Sequence, residues 1–168
     1  LSMYGSPGSA RLGQHKSSGA AIASNGDSHR VALKGRWGSG PCWDVVTRGT
    51  IAFVLDGGWL QTFECSVPSS PVLLGRVLLP SPAYDIAVVG DYAYIANGDD
   101  GLRVISVSDP TRPVEVGAYS AHPVHNVAAA ESYAYVCGSG SLHVLNVSDP
   151  TAPVDIGSCP VTSWGLAA

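Results

Sequence analysis

The sequence predicts an all-β protein built from repeated copies of one small antiparallel sheet. The segment "VSDPTRPVEVG" begins at Val107, and the nearly identical "VSDPTAPVDIG" begins at Val147. Near-identical turns at a constant interval indicate stacked copies of one structural unit. Only 13% of the residues are charged, and the chain contains 20 glycines and 12 prolines. This composition favours short strands joined by tight turns over helices.

Three complete copies can be aligned, and each predicts four strands. The copies span residues 43–79, 84–120 and 125–161, and both intervals between their first residues are 41 residues long. In the middle copy the apolar runs lie at residues 84–89, 92–96, 102–107 and 114–119, separated by turn residues. A four-stranded antiparallel meander that recurs about every 41 residues is typical of a β-propeller blade.

Partial copies flank the complete ones. Residues 31–37 match the outer strand of a copy, and residues 163–168 match the start of another, with Trp164 in the place of Trp43. The two ends of the chain are therefore predicted to meet in one composite blade, which would remove open sheet edges.

The repeats occupy residues 31–168, and residues 1–30 form either a poorly patterned N-terminal segment or a degenerate blade. The sequence is compatible with more than one blade number. The pattern agrees with four blades in one chain, with part of a larger propeller, or with a ring completed by other chains.

The middle and third copies carry the segments "YAYIANGDDGLRVISVSDPTRPVEVG" and "YAYVCGSGSLHVLNVSDPTAPVDIG". These segments resemble the LVIVD repeat, a propeller-type repeat of bacterial and archaeal cell-surface or secreted proteins. The resemblance covers about residues 41–168 and is weaker in the first copy, which has "FECSVP" where the family prefers an Ile-x-Val-Ser-Asp-Pro phrase. It implies a propeller-type fold and a location outside the cell, and it implies no shared catalytic activity.

Charge and hydropathy exclude some partners. The net charge is −4 and the nine Lys and Arg residues are scattered, so no nucleic-acid partner is predicted. No apolar run approaches the roughly 18 residues that a membrane-spanning helix needs, so no membrane span is predicted, and the first residues lack a secretion signal.

The first two positions of each copy are the candidate ligand-binding residues. They are Trp43 and Asp44, Tyr84 and Asp85, His125 and Asn126, and Trp164 at the start of the partial copy. Because innermost strands converge on a propeller axis, these residues are expected at one mouth of the central channel. Either they form an aromatic-walled polar pocket there, or the rings pack between blades while the Asp and Asn side chains bond turn amides.

No catalytic residue, cofactor or metal is predicted. The chain has no G-x-S-x-G, phosphate-loop or H-E-x-x-H motif. The "NGDDG" loop from Asn97 lacks a bidentate Glu and does not recur, so a solvated turn is expected. His122, His125 and His143 have no ligand-like spacing with one another, and His143 is expected to face solvent.

The chain is therefore interpreted as a non-enzymatic structural, adhesive or interaction module with a protein or carbohydrate partner. A hydrolase, lyase or sugar-binding protein with its site at the channel mouth is the alternative, and Asp44 and Asp85 are the obvious acid pair for such chemistry. A further alternative is a homo-oligomer, in which each subunit is completed by strands of a neighbour.

Two further predictions concern the interior. Six residues at matched apolar positions are expected to be buried between blades: Phe53, Tyr94, Tyr135, Phe63, Ile105 and Leu145. The four cysteines, Cys42, Cys65, Cys137 and Cys159, have no C-x-x-C spacing. Buried free thiols are expected, and disulfides remain an alternative in an extracellular protein.

Overall fold

The computed structural model describes residues 42–161, which form three antiparallel sheets of four strands each and no helix. The first sheet contains β1 (Cys42–Arg48), β2 (Ile51–Asp56), β3 (Trp59–Glu64) and β4 (Val72–Leu78). The second contains β5 (Asp85–Val89), β6 (Tyr92–Ala96), β7 (Leu102–Ser106) and β8 (Val114–Tyr119). The third contains β9 (Asn126–Ala130), β10 (Tyr133–Gly138), β11 (Ser141–Asn146) and β12 (Val154–Pro160). The described residues thus include no helix that could cross a membrane.

Each sheet is one copy of the repeat, with its strands paired in chain order. The predicted all-β fold with propeller-type four-stranded blades is therefore confirmed. The turn between β5 and β6 is the predicted two-residue hairpin, because Val89 pairs with Tyr92 and Gly90 adopts a φ of 55°. Residues 1–30, the segment at 31–37 and the segment at 163–168 lie outside the described residues.

Apolar side chains fill the space between successive blades. Alternate residues of a strand face opposite sides of its sheet, so β6 contributes Ile95 to the core shared with the first blade and Tyr94 to the core shared with the third. Five of the six residues predicted to be buried are so: Phe53, Phe63, Tyr94, Ile105 and Leu145. Burial of matched positions in stacked sheets is the main contribution to stability in such a repeat.

The prediction for Tyr135 is wrong, because 40% of this residue is exposed. Its neighbours Ala134 and Val136 belong to the core that the second and third blades share. Tyr135 lies on the opposite face of β10, and no fourth sheet covers that face among residues 42–161. The matched position is buried only where a following blade packs over it.

The repeated phrase forms the outer contact between blades. A Cβ atom placed on Gly75 would lie 2.6 Å from the carbonyl oxygen of Thr111, and one placed on Gly117 would lie 2.2 Å from that of Pro150. The "SDPT" turn of one blade therefore packs directly against the backbone of the preceding blade's outer strand. Only glycine allows this approach, which explains the glycine in the outer strands of the first and second blades.

The four cysteines are unpaired, but none of them is fully buried. Cys42 and Cys159 are exposed, whereas Cys65 and Cys137 are partly buried. The expectation of buried thiols is therefore wrong for Cys42 and Cys159, which lie in the first and last described strands.

The packing of turn on glycine can be tested with two matched substitutions. Gly117→Ala should lower the free energy of unfolding by about 1 to 3 kcal/mol, because its methyl group would overlap the Pro150 carbonyl. Gly157→Ala is the control, since a Cβ at this equivalent position of β12 meets no atom within 4 Å. Its effect should stay within about 0.5 kcal/mol. Equal losses in reversible denaturant melts would contradict this packing.

The two matched tyrosines should also differ. Tyr94→Ala should cost about 3 to 5 kcal/mol, because a fully packed aromatic ring leaves a cavity. Tyr135→Ala should cost less than about 1 kcal/mol, because the ring is already partly in solvent. Urea denaturation of both variants measures the difference, and a large loss in Tyr135→Ala would show that its ring is buried in solution.

Candidate functional site

Three aromatic rings form a row along the starts of the inner strands β1, β5 and β9. The ring centroids of Trp43 and Tyr84 are 5.9 Å apart, and those of Tyr84 and His125 are 5.3 Å apart. The planes are inclined by 56° and 64°, so the first pair is tilted and the second meets edge to face. Trp43 is 54% exposed and Tyr84 is 43% exposed. We call Trp43, Tyr84 and His125 the aromatic row.

Backbone hydrogen bonds and one glycine determine where the residues of the aromatic row lie. The amide of Tyr84 donates to the carbonyl of Ala96 at 2.9 Å, and the amide of His125 donates to that of Cys137 at 2.8 Å. The backbone of Tyr84 and of His125 is thereby held where β5 and β9 begin. A Cβ on Gly98 would lie 2.9 Å from the Tyr84 ring, so the glycine in this turn makes room for it.

The acids beside the row join adjacent blades. Asp44 Oδ2 accepts a hydrogen bond from the amide of Ile86 at 3.1 Å, and Asp85 Oδ2 accepts one from the amide of Val127 at 2.8 Å. Both acceptors reach across to the next inner strand at the same relative position. We call this contact the carboxylate clamp. Its donors are strand amides, whereas the sequence suggested either turn amides or a ligand.

The two acids are close to each other. Asp44 Oδ2 and Asp85 Oδ1 both accept from the amide of Ile86, at 3.1 and 3.0 Å. Burial raises the pKa of Asp85 above its usual range, and the neighbouring Asp44 carboxyl raises it further. The amides of Val127 and Ile86 oppose this rise, since they stabilise the charged form. The pair is therefore electrostatically coupled.

The remaining predicted site residues belong to the third blade or lie beyond it. His125 and Asn126 line a shallow depression of about 670 Å³ with Cys137, Gly138, Ser139, Gly140, Ser141 and Val161. Asp44 and Asp85 are not part of this depression. Trp164 lies outside the described residues.

Two polar predictions need correction. The "NGDDG" loop is not simply a solvated turn, because Asn97 is fully buried and its side chain donates to the carbonyl of Ser81. His143 does not face solvent either, since its side chain is only 12% exposed. Its Nδ1 atom lies 2.8 Å from Asp155 Oδ2.

The spacing of residues in the sequence did not predict which side chains lie close to His143. His122, His143 and Asp155 bring their ligand atoms within 4.8 Å of one another. These residues come from the linker before β9, from β11 and from β12, so no short motif contains them. The signal that could have found them is the pairing of β11 with β12, which places a third-strand and a fourth-strand residue side by side.

Three four-stranded antiparallel sheets packed face to face, with their first strands adjacent, define a β-propeller-type repeat protein. The family model of the LVIVD repeat matches residues 81–121 and residues 123–161. The second and third blades are therefore LVIVD repeats, as the sequence resemblance predicted. The first blade lies outside both matches, although its sheet has the same strand order. No curated protein matches the chain.

The carboxylate clamp predicts different effects for two substitutions at one position. Asp85→Ala should lower the free energy of unfolding by about 1 to 3 kcal/mol, because the Val127 amide loses its partner. Asp85→Asn keeps an acceptor oxygen for the Val127 amide, while the Ile86 amide keeps Asp44 as its acceptor, so the loss should be smaller than that of Asp85→Ala. Asp99→Ala, at an exposed turn position nearby, is the control.

The raised pKa of Asp85 also predicts how the stability of wild type and of Asp85→Asn changes with pH. The pKa of Asp85 is raised by folding, so between about pH 3.9 and the folded pKa the native state binds the additional proton. Raising the pH through this window therefore lowers wild-type stability through Asp85. The stability of Asp85→Asn relative to wild type should rise over the same window. If the difference in free energy of unfolding between Asp85→Asn and wild type did not change with pH in urea melts, the assigned rise in the pKa of Asp85 would be wrong.

Proposed function

We propose that this chain is a non-enzymatic interaction module that binds a protein or carbohydrate partner through its aromatic row. The observation that carries the proposal is the exposure of Trp43 and Tyr84 on adjacent inner strands. We further propose a location at the cell surface or outside the cell, which rests on the LVIVD resemblance.

Physical properties of the row support a binding role. Tyr and Trp contribute large contact areas at little cost in conformational entropy, and they are enriched in the energetic centres of interfaces. The rings are held by backbone bonds and by each other, so little ordering is needed when a partner binds. The acids beside the row are engaged in the carboxylate clamp, which leaves the aromatic surface as the accessible part.

Glycoside cleavage is the second candidate, and the coupled acids favour it. Such enzymes use two neighbouring carboxyl groups, of which the one acting as the acid has a raised pKa. Asp85, with its raised pKa, would be the acid, and Asp44 would be the base or nucleophile. Against this role, each carboxyl group already accepts two backbone hydrogen bonds.

Self-assembly is a further candidate, favoured by the apolar surface of the third blade. Tyr135 and the outer-strand residues Val154 and Ile156 are exposed. A blade from a second copy would cover this surface as the third blade covers the second. Sedimentation analysis of the full chain over a range of concentrations tests this, and a concentration-independent monomer mass would overturn it.

The binding proposal predicts losses at specific rings. Wild-type protein should bind at least one component of a panel of immobilised polysaccharides and extended peptides. Trp43→Ala and Tyr84→Ala should each weaken that binding about tenfold or more, because a central aromatic contact is removed. Tyr133→Ala is the matched control, since Tyr133 is 40% exposed but starts β10, at the opposite end of the strand pair from Asn126.

Chromogenic glycosides distinguish the two candidate functions. Binding without turnover that depends on Trp43 and Tyr84 supports the interaction module. Turnover that is abolished in Asp85→Asn, while binding persists, would support the hydrolase instead. Equal binding by wild type and by both aromatic variants would contradict a role for the row.

A further inference from the structure

A second polar cluster, which includes no residue of the aromatic row, lies at the junction of the second and third blades. Its members are Tyr119 at the end of β8, His122 in the linker to β9, His143 in β11 and Asp155 in β12. The rings of His122 and His143 are stacked, with centroids 4.5 Å apart and an interplanar angle of 28°. We propose that His122, His143 and Asp155 bind one divalent transition-metal ion.

The donor set selects the class of metal. Two imidazoles and one carboxylate suit zinc and its first-row neighbours, whereas calcium and magnesium prefer sites made only of oxygen. Three protein ligands leave a fourth tetrahedral position for water. The ion that this site would bind is therefore zinc or a similar first-row transition metal.

Distances in the cluster are close to those that a metal requires. In a tetrahedral site with bonds of about 2.0 Å, neighbouring ligand atoms are about 3.3 Å apart. His143 Nδ1 and Asp155 Oδ2 are 2.8 Å apart, and all three ligand groups lie within 4.8 Å of one another. His122 is exposed and lies in a linker, so its ring can make the remaining movement of somewhat over an ångström.

The carboxylate is already oriented by its own partners. Tyr119 donates its hydroxyl to Asp155 Oδ2 at 2.8 Å, and the amide of Gly157 donates to Asp155 Oδ1 at 3.0 Å. Hydrogen bonds of this kind around a ligating group fix its geometry and increase metal affinity.

The equivalent junction between the first and second blades shows what is distinctive here. Strand pairing places Arg103 and Glu115 at the positions of His143 and Asp155. Arg103 forms ion pairs there with Asp100 at 3.3 Å and with Glu115 at 3.1 Å. A permanent cation thus faces the acid of the second blade.

The third blade keeps the acid and lacks that cation. Among residues 42–161, Asp155 has no ion-pair partner except His143, and histidine, unlike arginine, is not a permanent cation. The linker position before the repeated proline changes from Ser81 to His122, and the end of the outer strand changes from Leu78 to Tyr119. A bound metal would supply the positive charge that Arg103 supplies in the preceding junction.

Zinc binding to the full, untagged chain tests the proposal. After removal of metals by a chelator, calorimetric titration with zinc chloride near neutral pH should show one saturable site, and magnesium chloride should give no binding. Cobalt chloride should produce the visible absorption of a tetrahedral site without the near-ultraviolet band of thiolate ligands. That band would assign the metal to the cysteines and overturn the proposal.

The repeat supplies substitutions that keep the fold. His143→Gln introduces the residue that the first blade has at this position, Gln61, and His122→Ser introduces the equivalent of Ser81. Each should weaken zinc binding about tenfold or more, since even changes around the ligands have effects of this size. His125→Ala is the control and should bind zinc as wild type does.

The outcomes are distinct. His122→Ser decides the question because His122 is exposed, so that its removal loses little more than the stacking on His143, and its metal-free melting temperature should stay close to that of wild type. Absence of zinc binding in wild type, or affinity within about threefold of wild type in both folded variants, would overturn the proposal.

Discussion

The contact between successive blades is the constraint on which the rest of this structure depends. A single four-stranded sheet of this size cannot bury both of its faces, so its stability comes from its neighbours. Three layers of contact join one blade to the next. The carboxylate clamp joins the inner strands, apolar residues such as Tyr94 and Leu145 fill the middle, and the "SDPT" turn packs on a glycine at the outer strand.

The inner layer links stability to the candidate binding surface. The clamp positions β5 relative to β1 and β9 relative to β5, and Tyr84 and His125 directly precede these two strands. The spacing of Trp43, Tyr84 and His125 is therefore a consequence of how the blades pack. Asp44 and Asp85 have a structural role that explains why acids occur beside the rings, and this role requires no ligand.

The sequence was sufficient to predict the strands, the blade period and most of the core, because these depend on local alternation and on residues repeated at one interval. It was insufficient where the outcome depends on a neighbouring blade. Tyr135 matches Tyr94 in sequence but differs in burial, since only Tyr94 has a blade packed over it among the described residues. The approach of His122 to His143 depends on the path of a linker, which periodicity does not encode.

The third blade carries, on the face that no described sheet covers, the residue types that form the contacts between blades elsewhere in the structure. It has a glycine at position 157, where the preceding blades accept a turn, and no atom lies within 4 Å of a Cβ placed there. It has Tyr135 at the core position and Asn126, a hydrogen-bond acceptor, at the clamp position. A face that only met solvent would have no need of a bare glycine and a large aromatic ring at these positions. This face therefore has the composition of an interface between blades, and its chemistry is that of the two interfaces already formed.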